Sequence, residues 1–155
     1  MKKHSIEIIP FETAYANHFY DLNIEWLETY FYVEPYDKKV LENPKSCIID
    51  TNGYIFFAKI HNKIVGTFAL INQKECYELS KMAVSPKYRG MKIGEQMLSF
   101  CISFSRRQQW KHIMLYSNTK LKPAIHLYKK LGFIEVSLEK DVIYKRSDIK
   151  MRLKL

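Results

Sequence analysis

The chain has 155 residues, of which 47% are hydrophobic and 14% aromatic, and no Pro-, Gly- or Ser-rich tract divides it. A chain of this length and composition buries about two-thirds of its unfolded surface, so we predict a single domain over residues 1–155 and exclude a disordered chain. The formal net charge is +9, from 25 Lys and Arg against 16 Asp and Glu. A field of that sign attracts phosphates, acidic partners or nucleic acid without choosing among them.

The sequence lacks signals for export, membrane insertion and metal binding. No apolar run is long enough to span a membrane, and the apolar residues after the basic start are few and interrupted by Glu7, so we expect a cytoplasmic protein without a membrane partner. Cys47, Cys76 and Cys101 are an odd number without Cys-x-x-Cys spacing, and the five histidines lack paired spacing. We therefore predict buried thiols and no metal site.

Hydrophobic periodicity and turn residues predict the elements in chain order. The first half contains a strand at 5–9, helices at 12–32 and 38–42, a partial strand at 47–50, and hairpin strands at 54–60 and 64–71. The second half contains a strand at 76–84, a helix from 93 to about 109, a strand at 112–117, a helix from Pro123 that ends at Gly132, and one or two strands within 133–136 and 143–153. Without the partial strand, the order β-α-α-β-β-β-α-β-α-β-β predicts a mixed α/β fold that combines antiparallel pairing with a parallel crossover.

Residues 88–94, Tyr-Arg-Gly-Met-Lys-Ile-Gly, lie between a predicted strand and a predicted helix. The start of a helix presents free N–H groups and the positive end of the helix dipole, which suits phosphate. Gly90 and Gly94 allow close approach to the backbone, and Arg89 and Lys92 add positive charge. The alternative is an ordinary helix start with solvated basic residues, because the loop lacks the Gly-Lys-Ser/Thr of a P-loop and the spacing of a dinucleotide fingerprint.

Two stretches of the sequence resemble signatures of the GCN5-related N-acetyltransferase (GNAT) superfamily. Residues 82–98, Met-Ala-Val-Ser-Pro-Lys-Tyr-Arg-Gly-Met-Lys-Ile-Gly-Glu-Gln-Met-Leu, resemble its acetyl-CoA motif Arg/Gln-x-x-Gly-x-Gly/Ala with the preceding Val-x-Pro. Residues 124–133, Ala-Ile-His-Leu-Tyr-Lys-Lys-Leu-Gly-Phe, resemble the second signature Ala-x-x-Leu-Tyr-x-x-x-Gly-Phe. Two motifs in the family's order are far more specific than either alone.

The resemblance implies a central, mostly antiparallel sheet with splayed parallel strands, flanked by about four helices, and acetyl-CoA as co-substrate. The positions that it assigns to cofactor binding lie on the strand and in the loop after it. They are Met82, Ala83, Val84, Arg89, Gly90, Met91, Lys92, Ile93, Gly94 and Glu95. Two positions depart from the family pattern: Lys92 replaces the first motif glycine, and Leu121 replaces a frequent asparagine, whose polar role we assign to the nearby Asn118.

The resemblance also implies a mechanism in which an amine attacks the thioester directly within a ternary complex. Glu78 lies on the strand where some members carry a carboxylate general base, and strand alternation places it on the same face as Ser80 and Met82. The alternative for Glu78 is a charge partner of a neighbouring lysine, Lys74 or Lys81. Tyr128 matches the tyrosine that acts as general acid in many members; the alternative is a packing aromatic on an amphipathic helix.

The acceptor is the least determined feature. In the family the first helices and their connection shape the acceptor pocket, and we assign substrate binding to Tyr30, Tyr32 and Glu34. The same segment also contains Trp26, Phe31, Tyr36 and Asp37. Aromatic and acidic side chains together suit a cationic amine, although core packing explains the aromatic ones equally well. A polyamine, an aminoglycoside, a free amino acid, and a protein lysine or N-terminus all stay open as acceptors.

Two other functions compete with the enzyme. A catalytically weak acyl-CoA sensor or scaffold of the same fold is conceivable because of Lys92. A nucleic-acid-binding module is suggested by the +9 charge and eleven tyrosines, but the sequence has neither an aromatic RNA-binding motif nor a helix-turn-helix pair. The partner we expect is therefore a small-molecule or peptide amine, with association into a homodimer left open.

Overall fold

The computed structural model describes residues 5–155; residues 1–4, on which the expectation about export partly rests, lie outside the described part. The strands are β1 (Glu7–Pro10), β2 (Tyr54–Ile60), β3 (Lys63–Gln73), β4 (Cys76–Val84), β5 (His112–Ser117), β6 (Ile134–Val136) and β7 (Ile149–Lys154). The α-helices are α1 (Ala16–Tyr30), α2 (Pro35–Glu42), α3 (Ile93–Arg107) and α4 (Lys122–Lys130). The predicted order of elements is confirmed.

The seven strands form one sheet in the order β1-β2-β3-β4-β5-β7-β6. Every neighbouring pair is antiparallel except β4 and β5, which are parallel. A parallel pair needs a crossover connection, and α3 supplies it between these two strands. The predicted mixed fold with a mostly antiparallel sheet is therefore confirmed.

The parallel pair is short, and its strands diverge after it. Strands β4 and β5 pair at Tyr77 with Ile113, Glu78 with Met114, and Leu79 with Leu115. Strand β4 then runs on to Val84 along β3, while the rest of β5 pairs with β7 on its other side. The end of β4 and the end of β5 consequently leave a gap in the middle of the sheet.

A β-bulge interrupts β4 at the level of this gap. Thr67 of β3 pairs with Ala83, but Ala69 pairs with Ser80, so β4 advances three residues while β3 advances two. The extra residue breaks the strict alternation of side chains. Lys81 has a left-handed backbone with φ of 57° and reaches α2, whereas Met82 packs into the same core cluster as Leu79. The prediction that Met82 shares a face with Glu78 is therefore wrong.

Helices cover the sheet on both faces and bury two apolar clusters. On one face, α3 places its apolar side chains at helical spacing against the strands; these are Ile93, Met97, Leu98, Cys101 and Ile102. On the other face, α1 and α2 bury Phe19, Leu27, Val40 and Leu41 against β2 and β3. The gap between β4 and β5 thus lies in a sheet that helices cover on both faces.

Three predicted boundaries change for local reasons. The partial strand at 47–50 is wrong: Lys45–Ile49 is a π-helical turn, and its apolar residues reflect the burial of Ile48 rather than strand pairing. Helix α2 begins at Pro35, three residues before the predicted start, because proline is well placed in a first turn. The last strand begins at Ile149, so residues 143–148 form a loop.

Candidate active site

The gap between β4 and β5 opens into a cavity of about 410 Å³. Its walls come from β4, β5, α1, α4, the start of α3 and the loop before β7. Among the residues that line it are Tyr30, Glu78, Met82, Ala83, Val84, Arg89, Gly94, Asn118, Tyr128, Tyr144 and Arg146. Residues from both predicted motifs, which are distant in sequence, thus line a single cavity.

The start of α3 has the features of an anion site. The first hydrogen bond from the helix backbone runs from the Gln96 N–H to the Lys92 carbonyl, at 3.1 Å, so the N–H groups of residues 93–95 have no acceptor within the helix. Gly90 has φ of 79° and turns the chain before the helix. Ile93 is buried in the core, so its side chain anchors the helix and only its backbone faces the loop.

Gly94 leaves space in front of the helix. A Cβ atom added at this position meets no atom within 4 Å, although Gly94 lines the cavity. The absent side chain therefore leaves the backbone N–H groups accessible to a phosphate. The donors in this loop and the cleft of the diverging strands fit the pyrophosphate and the extended arm of an acyl-CoA.

Lys92, which replaces the motif glycine, adopts the conformation that glycine would favour. Its φ of 62° lies in the left-handed region, and it is the residue immediately before α3. A non-glycine residue in this conformation costs about 1 kcal/mol. The loop therefore makes a left-handed turn at this position without the motif glycine, and Lys92 carries the backbone strain.

Arg89, which lines the cavity, forms an ion pair with Glu25 of α1. Its Nη2 contacts Glu25 Oε1, Nη1 lies 3.5 Å from Glu25 Oε2, and its guanidinium carbon lies 5.4 Å from the centre of the Tyr30 ring. Its side chain is 24% exposed and that of Glu25 38%. The arginine predicted to hold a phosphate is thus held by a carboxylate of α1.

Glu78 is a buried carboxylate beside the gap. It is 6% exposed, and its Oε1 accepts a hydrogen bond of 2.9 Å from Gln73 Nε2. Burial raises the pKa of Glu78 above its usual 4.5, although the Gln73 hydrogen bond and Lys81 oppose the shift. Gln73, rather than Lys74, donates this hydrogen bond, and the ammonium of Lys81 is hydrogen-bonded to Asp37 and Tyr144.

Tyr128 projects from α4 into the cavity. Its ring packs against Phe133 with centroids 5.8 Å apart. Burial raises the pKa of Tyr128 to about 12, so its hydroxyl stays protonated at neutral pH. A protonated phenol in this position can donate a hydrogen bond to a group in the cavity.

A buried network of charges connects the cavity wall to α2. Asp37, fully buried, accepts hydrogen bonds from Lys81 Nζ at 2.8 Å and from Arg146 Nη1 and Nη2 at 2.6 and 2.8 Å. Lys81 also donates to the Tyr144 hydroxyl at 2.7 Å. Burial acts to raise the pKa of Asp37, but the bonds from Arg146 and Lys81 outweigh it and hold the pKa below 3.8. The network joins α2 to the bulge of β4 and to the loop before β7.

The predicted substrate-binding residues divide into two groups. Tyr30 lines the cavity, whereas Tyr32 and Glu34 do not. Tyr32 is 53% exposed. Glu34 is buried at the start of α2, where it accepts hydrogen bonds from Arg146 Nη1 at 3.0 Å and from the Lys145 N–H at 2.8 Å. Its carboxylate is committed to the fold.

The remaining predicted cofactor residues have structural contacts of their own. Asn118 lines the cavity while donating to the Arg146 carbonyl at 2.7 Å and accepting from the Lys120 N–H at 2.9 Å. Met91 packs against the core, and Glu95 lies 3.6 Å from Lys130 Nζ. Of these three, Asn118 is the one that lines the cavity.

Sequence reasoning missed Tyr116, Tyr144 and Arg146. Tyr144 and Arg146 were assigned to a last strand, but they lie in the loop before β7 and line the cavity. The signal that was available is the run Tyr144-Lys145-Arg146, which combines an aromatic and two bases and lacks the alternation of a strand. Tyr116 lies at the point where β5 diverges from β4. The local sequence does not encode this divergence, so it gave no signal for Tyr116.

In the part of the chain that the structure describes, residues 5–155, no helix is long and apolar enough to cross a membrane. Nor do three or more His, Cys, Asp or Glu side chains come together within that range in a way that could hold a metal ion.

The chain is similar in sequence to named acetyltransferases. It is 26% identical over 105 residues to a probable N-acetyltransferase, camello, of Xenopus tropicalis, covering 66% of this chain and 48% of the relative. It is 29% identical over 98 residues to an uncharacterized N-acetyltransferase of Methanocaldococcus jannaschii, covering 59% and 43%. The chain thus spans about half the length of the curated relatives it matches.

Solved structures share the fold over nearly the whole chain. An acetyltransferase of the GNAT family from Staphylococcus aureus Mu50 has a TM-score of 0.83 at 24% identity, covering 97% of this chain and 99% of that one. The PaiA N-acetyltransferase of Thermoplasma acidophilum, in complex with coenzyme A, has a TM-score of 0.75 at 19% identity, with the same coverage. The model of the acetyltransferase (GNAT) family matches residues 17–133, about three-quarters of the sequence. The chain belongs to the GNAT acetyltransferase family.

Proposed function

We propose that the protein transfers the acetyl group of acetyl-CoA to a primary amine by direct attack within a ternary complex. One observation carries the proposal: a single cavity is lined by Arg89 and Gly94 at the start of α3, by the buried carboxylate of Glu78, and by the hydroxyl-bearing ring of Tyr128. The names of the two relatives, both N-acetyltransferases, support transfer to nitrogen.

The loop residues supply the binding site for the phosphates. The free N–H groups at the start of α3, the open space at Gly94 and the guanidinium of Arg89 all favour an anion there. After Leu79 the edge of β4 is no longer paired with β5, so it offers backbone groups to an extended arm, as it would to an added strand. When bound, acetyl-CoA supplies a thioester carbonyl that an amine can attack.

Glu78 and Tyr128 move the protons. An amine is protonated at neutral pH, and Glu78, whose pKa burial raises, accepts a proton directly or through one water so that the nitrogen lone pair is free. As the new N–C bond forms and the C–S bond breaks, the Tyr128 hydroxyl donates to the sulfur. The ammonium loses two protons in all. One replaces the proton that Tyr128 donates to the sulfur, and the other leaves Glu78 for solvent, so the products are an amide, a free thiol and one proton.

Binding and transfer test the proposal separately. Acetyl-CoA at 100 times its Kd should stabilise the native state by about 2.7 kcal/mol and raise the Tm, and Arg89→Ala with Gly94→Asp should abolish that rise. Thiol release should follow when primary amines are added. An unchanged Tm at millimolar acetyl-CoA would contradict the proposal, whereas binding without thiol release across a broad amine panel would indicate the acyl-CoA sensor.

Variants test the two proton-transfer roles. We expect Glu78→Gln and Tyr128→Phe each to lower kcat by about 100-fold, while the Kd for acetyl-CoA stays within about twofold. Glu135→Gln, on the exposed face of β6, is the matched control and should leave both quantities unchanged. A wild-type kcat in Glu78→Gln would remove Glu78 from the mechanism.

A further inference from the structure

A second cavity, of about 520 Å³, adjoins the first. Glu78, Tyr116, Tyr144 and Ser147 line both cavities and form the wall between them. The other residues around the second cavity belong to the β3–β4 turn, to β5 and to the segment from Glu139 to β7. A molecule in this cavity therefore reaches Glu78 without passing the loop at the start of α3.

The acids first expected to hold an amine are not available for that purpose. Asp37 is fully buried and binds Lys81 and Arg146, and Glu34 binds Arg146 and caps α2. Their negative charge is already neutralised inside the protein. An acceptor that needs carboxylates must find them elsewhere around Glu78.

The second cavity is rich in carboxylates although the chain as a whole carries a charge of +9. Four acids and two bases line it; they are Glu75, Glu78, Glu139, Asp141, Lys74 and Lys150. Lys150 Nζ pairs with Glu139, which also accepts a 2.7 Å bond from the Tyr116 hydroxyl. Within residues 5–155, the exposed carboxylates of Glu75 and Asp141 form no ion pair, and neither does the exposed ammonium of Lys74. The two acids outnumber this one base, so the unpaired charge around the cavity favours a cation.

Another part of the wall is apolar. Cys76, Met114, Val142 and Ile143 line the cavity beside the carboxylates, and Ile143 is 59% exposed. An aliphatic segment covers such a surface favourably, at about 25 cal/mol per Å² of apolar area removed from water. The cavity thus combines the buried carboxylate of Glu78, apolar side chains, and the exposed carboxylates of Glu75 and Asp141.

We propose that the second cavity binds the acceptor, and that the acceptor is a small aliphatic amine with a second cationic group. One nitrogen lies beside Glu78, loses its proton to that carboxylate and forms the new N–C bond, while the other cation lies against Glu75 and Asp141. This inference rests on the proposed function, because the donor occupies the first cavity and the thiol is the leaving group.

The experiment compares two amines at saturating acetyl-CoA in the thiol-release assay. 1,4-Diaminobutane and 1-aminobutane have the same chain length and differ only in the second ammonium. We expect kcat/KM for the diamine to exceed that for the monoamine about tenfold. In the variant Glu75→Gln with Asp141→Asn, the KM for the diamine should rise about fivefold with kcat unchanged, and kcat/KM for the monoamine should not change.

The controls separate this inference from the proposed function. Glu135→Gln removes an exposed acid of β6 that does not line the cavity, and should leave both amines unaffected. Equal kcat/KM for the two amines, a preference for peptide amines, or equal losses for both amines in the double variant would overturn the inference and leave acetyl transfer intact. If acetyl-CoA fails to raise the Tm, the proposed function fails, and this inference fails with it.

Discussion

The charge network around Asp37 makes a sharp prediction about stability. Asp37→Asn preserves the size of the side chain but removes the charge that pairs with Lys81 and Arg146. The side chains of these two bases are 3% and 15% exposed, so water cannot replace the lost partner. Within residues 5–155, Glu34 then remains as the carboxylate bound to Arg146, and no carboxylate remains bound to Lys81.

The size of the expected loss of stability follows from the burial of Lys81 and Arg146. Removing one partner of a buried ion pair costs about 3–5 kcal/mol because the other charge stays buried without compensation. The amide oxygen of Asn keeps part of the hydrogen bonding, so we expect a loss of about 3 kcal/mol. For a domain of this size that lowers the Tm by about 6–12 °C and removes a large share of a total stability of about 5–15 kcal/mol.

Chemical denaturation at pH 7 measures the loss as a change in the free energy of unfolding. Asp50→Asn is the matched control, because its ion pair with Lys45 is more than half exposed, and it should change stability by less than about 0.5 kcal/mol. Adding Lys81→Met to Asp37→Asn removes the uncompensated ammonium and should recover at least about 1 kcal/mol. A loss below about 1 kcal/mol in Asp37→Asn would refute the reasoning.

The same network determines the pH below which Asp37 no longer stabilises the native state. The pKa of Asp37 is lowered in the native state, so its stabilisation is fully present above its usual value of 3.8 and is lost as the pH falls through the lower native pKa. The difference in unfolding free energy between the wild type and Asp37→Asn should therefore be constant above about pH 5 and shrink below pH 3.8. A constant difference down to pH 2 would contradict the assignment.

Three further predictions concern the cavity. Glu25→Gln releases Arg89 from its carboxylate and should tighten coenzyme A binding about threefold. Calorimetry measures the affinity, with Glu28→Gln as the control. Weaker binding would show that the ion pair with Glu25 does not compete with the phosphates for Arg89. Lys92→Gly relieves the strain of the left-handed backbone and should raise the free energy of unfolding by about 0.5 kcal/mol. Chemical denaturation measures this change, and a loss of stability would contradict the prediction. Because the pKa of Glu78 is raised, kcat/KM should fall as the pH is lowered through a value above 4.5; Glu78→Gln should lack this limb, and its persistence there would assign the limb to another group.

Sequence patterns predicted most of the fold because the signals are local. The glycine at 132 has φ of 106° and ends α4 as its position predicted, and the apolar spacing of α3 gave its buried face. The pattern failed at 47–50, where a buried apolar run forms a π-helical turn. Apolar residues report burial, and burial alone does not choose between a strand and a turn.

The candidate site was predictable where one short segment supplies both the backbone turn and the reactive or charged side chains. The glycines and bases of residues 88–94 mark the start of a helix, and that stretch lines the cavity at Arg89 and Gly94. Roles that depend on partners were not predictable in the same way. Glu34 and Asp37 appeared free for a substrate, yet Arg146, more than 100 residues away, binds both.

The sequence by itself determined the order of the elements, the loop at the start of α3 and the family resemblance, since each depends on residues close together in the chain. Only the tertiary structure decided which charges are free. The bulge at Lys81 redirects its ammonium to Asp37, and the loop with Tyr144 and Arg146 folds over the same carboxylate. Pairing between distant segments is set by how the strands diverge and the helices pack, and this leaves Glu78 between two cavities.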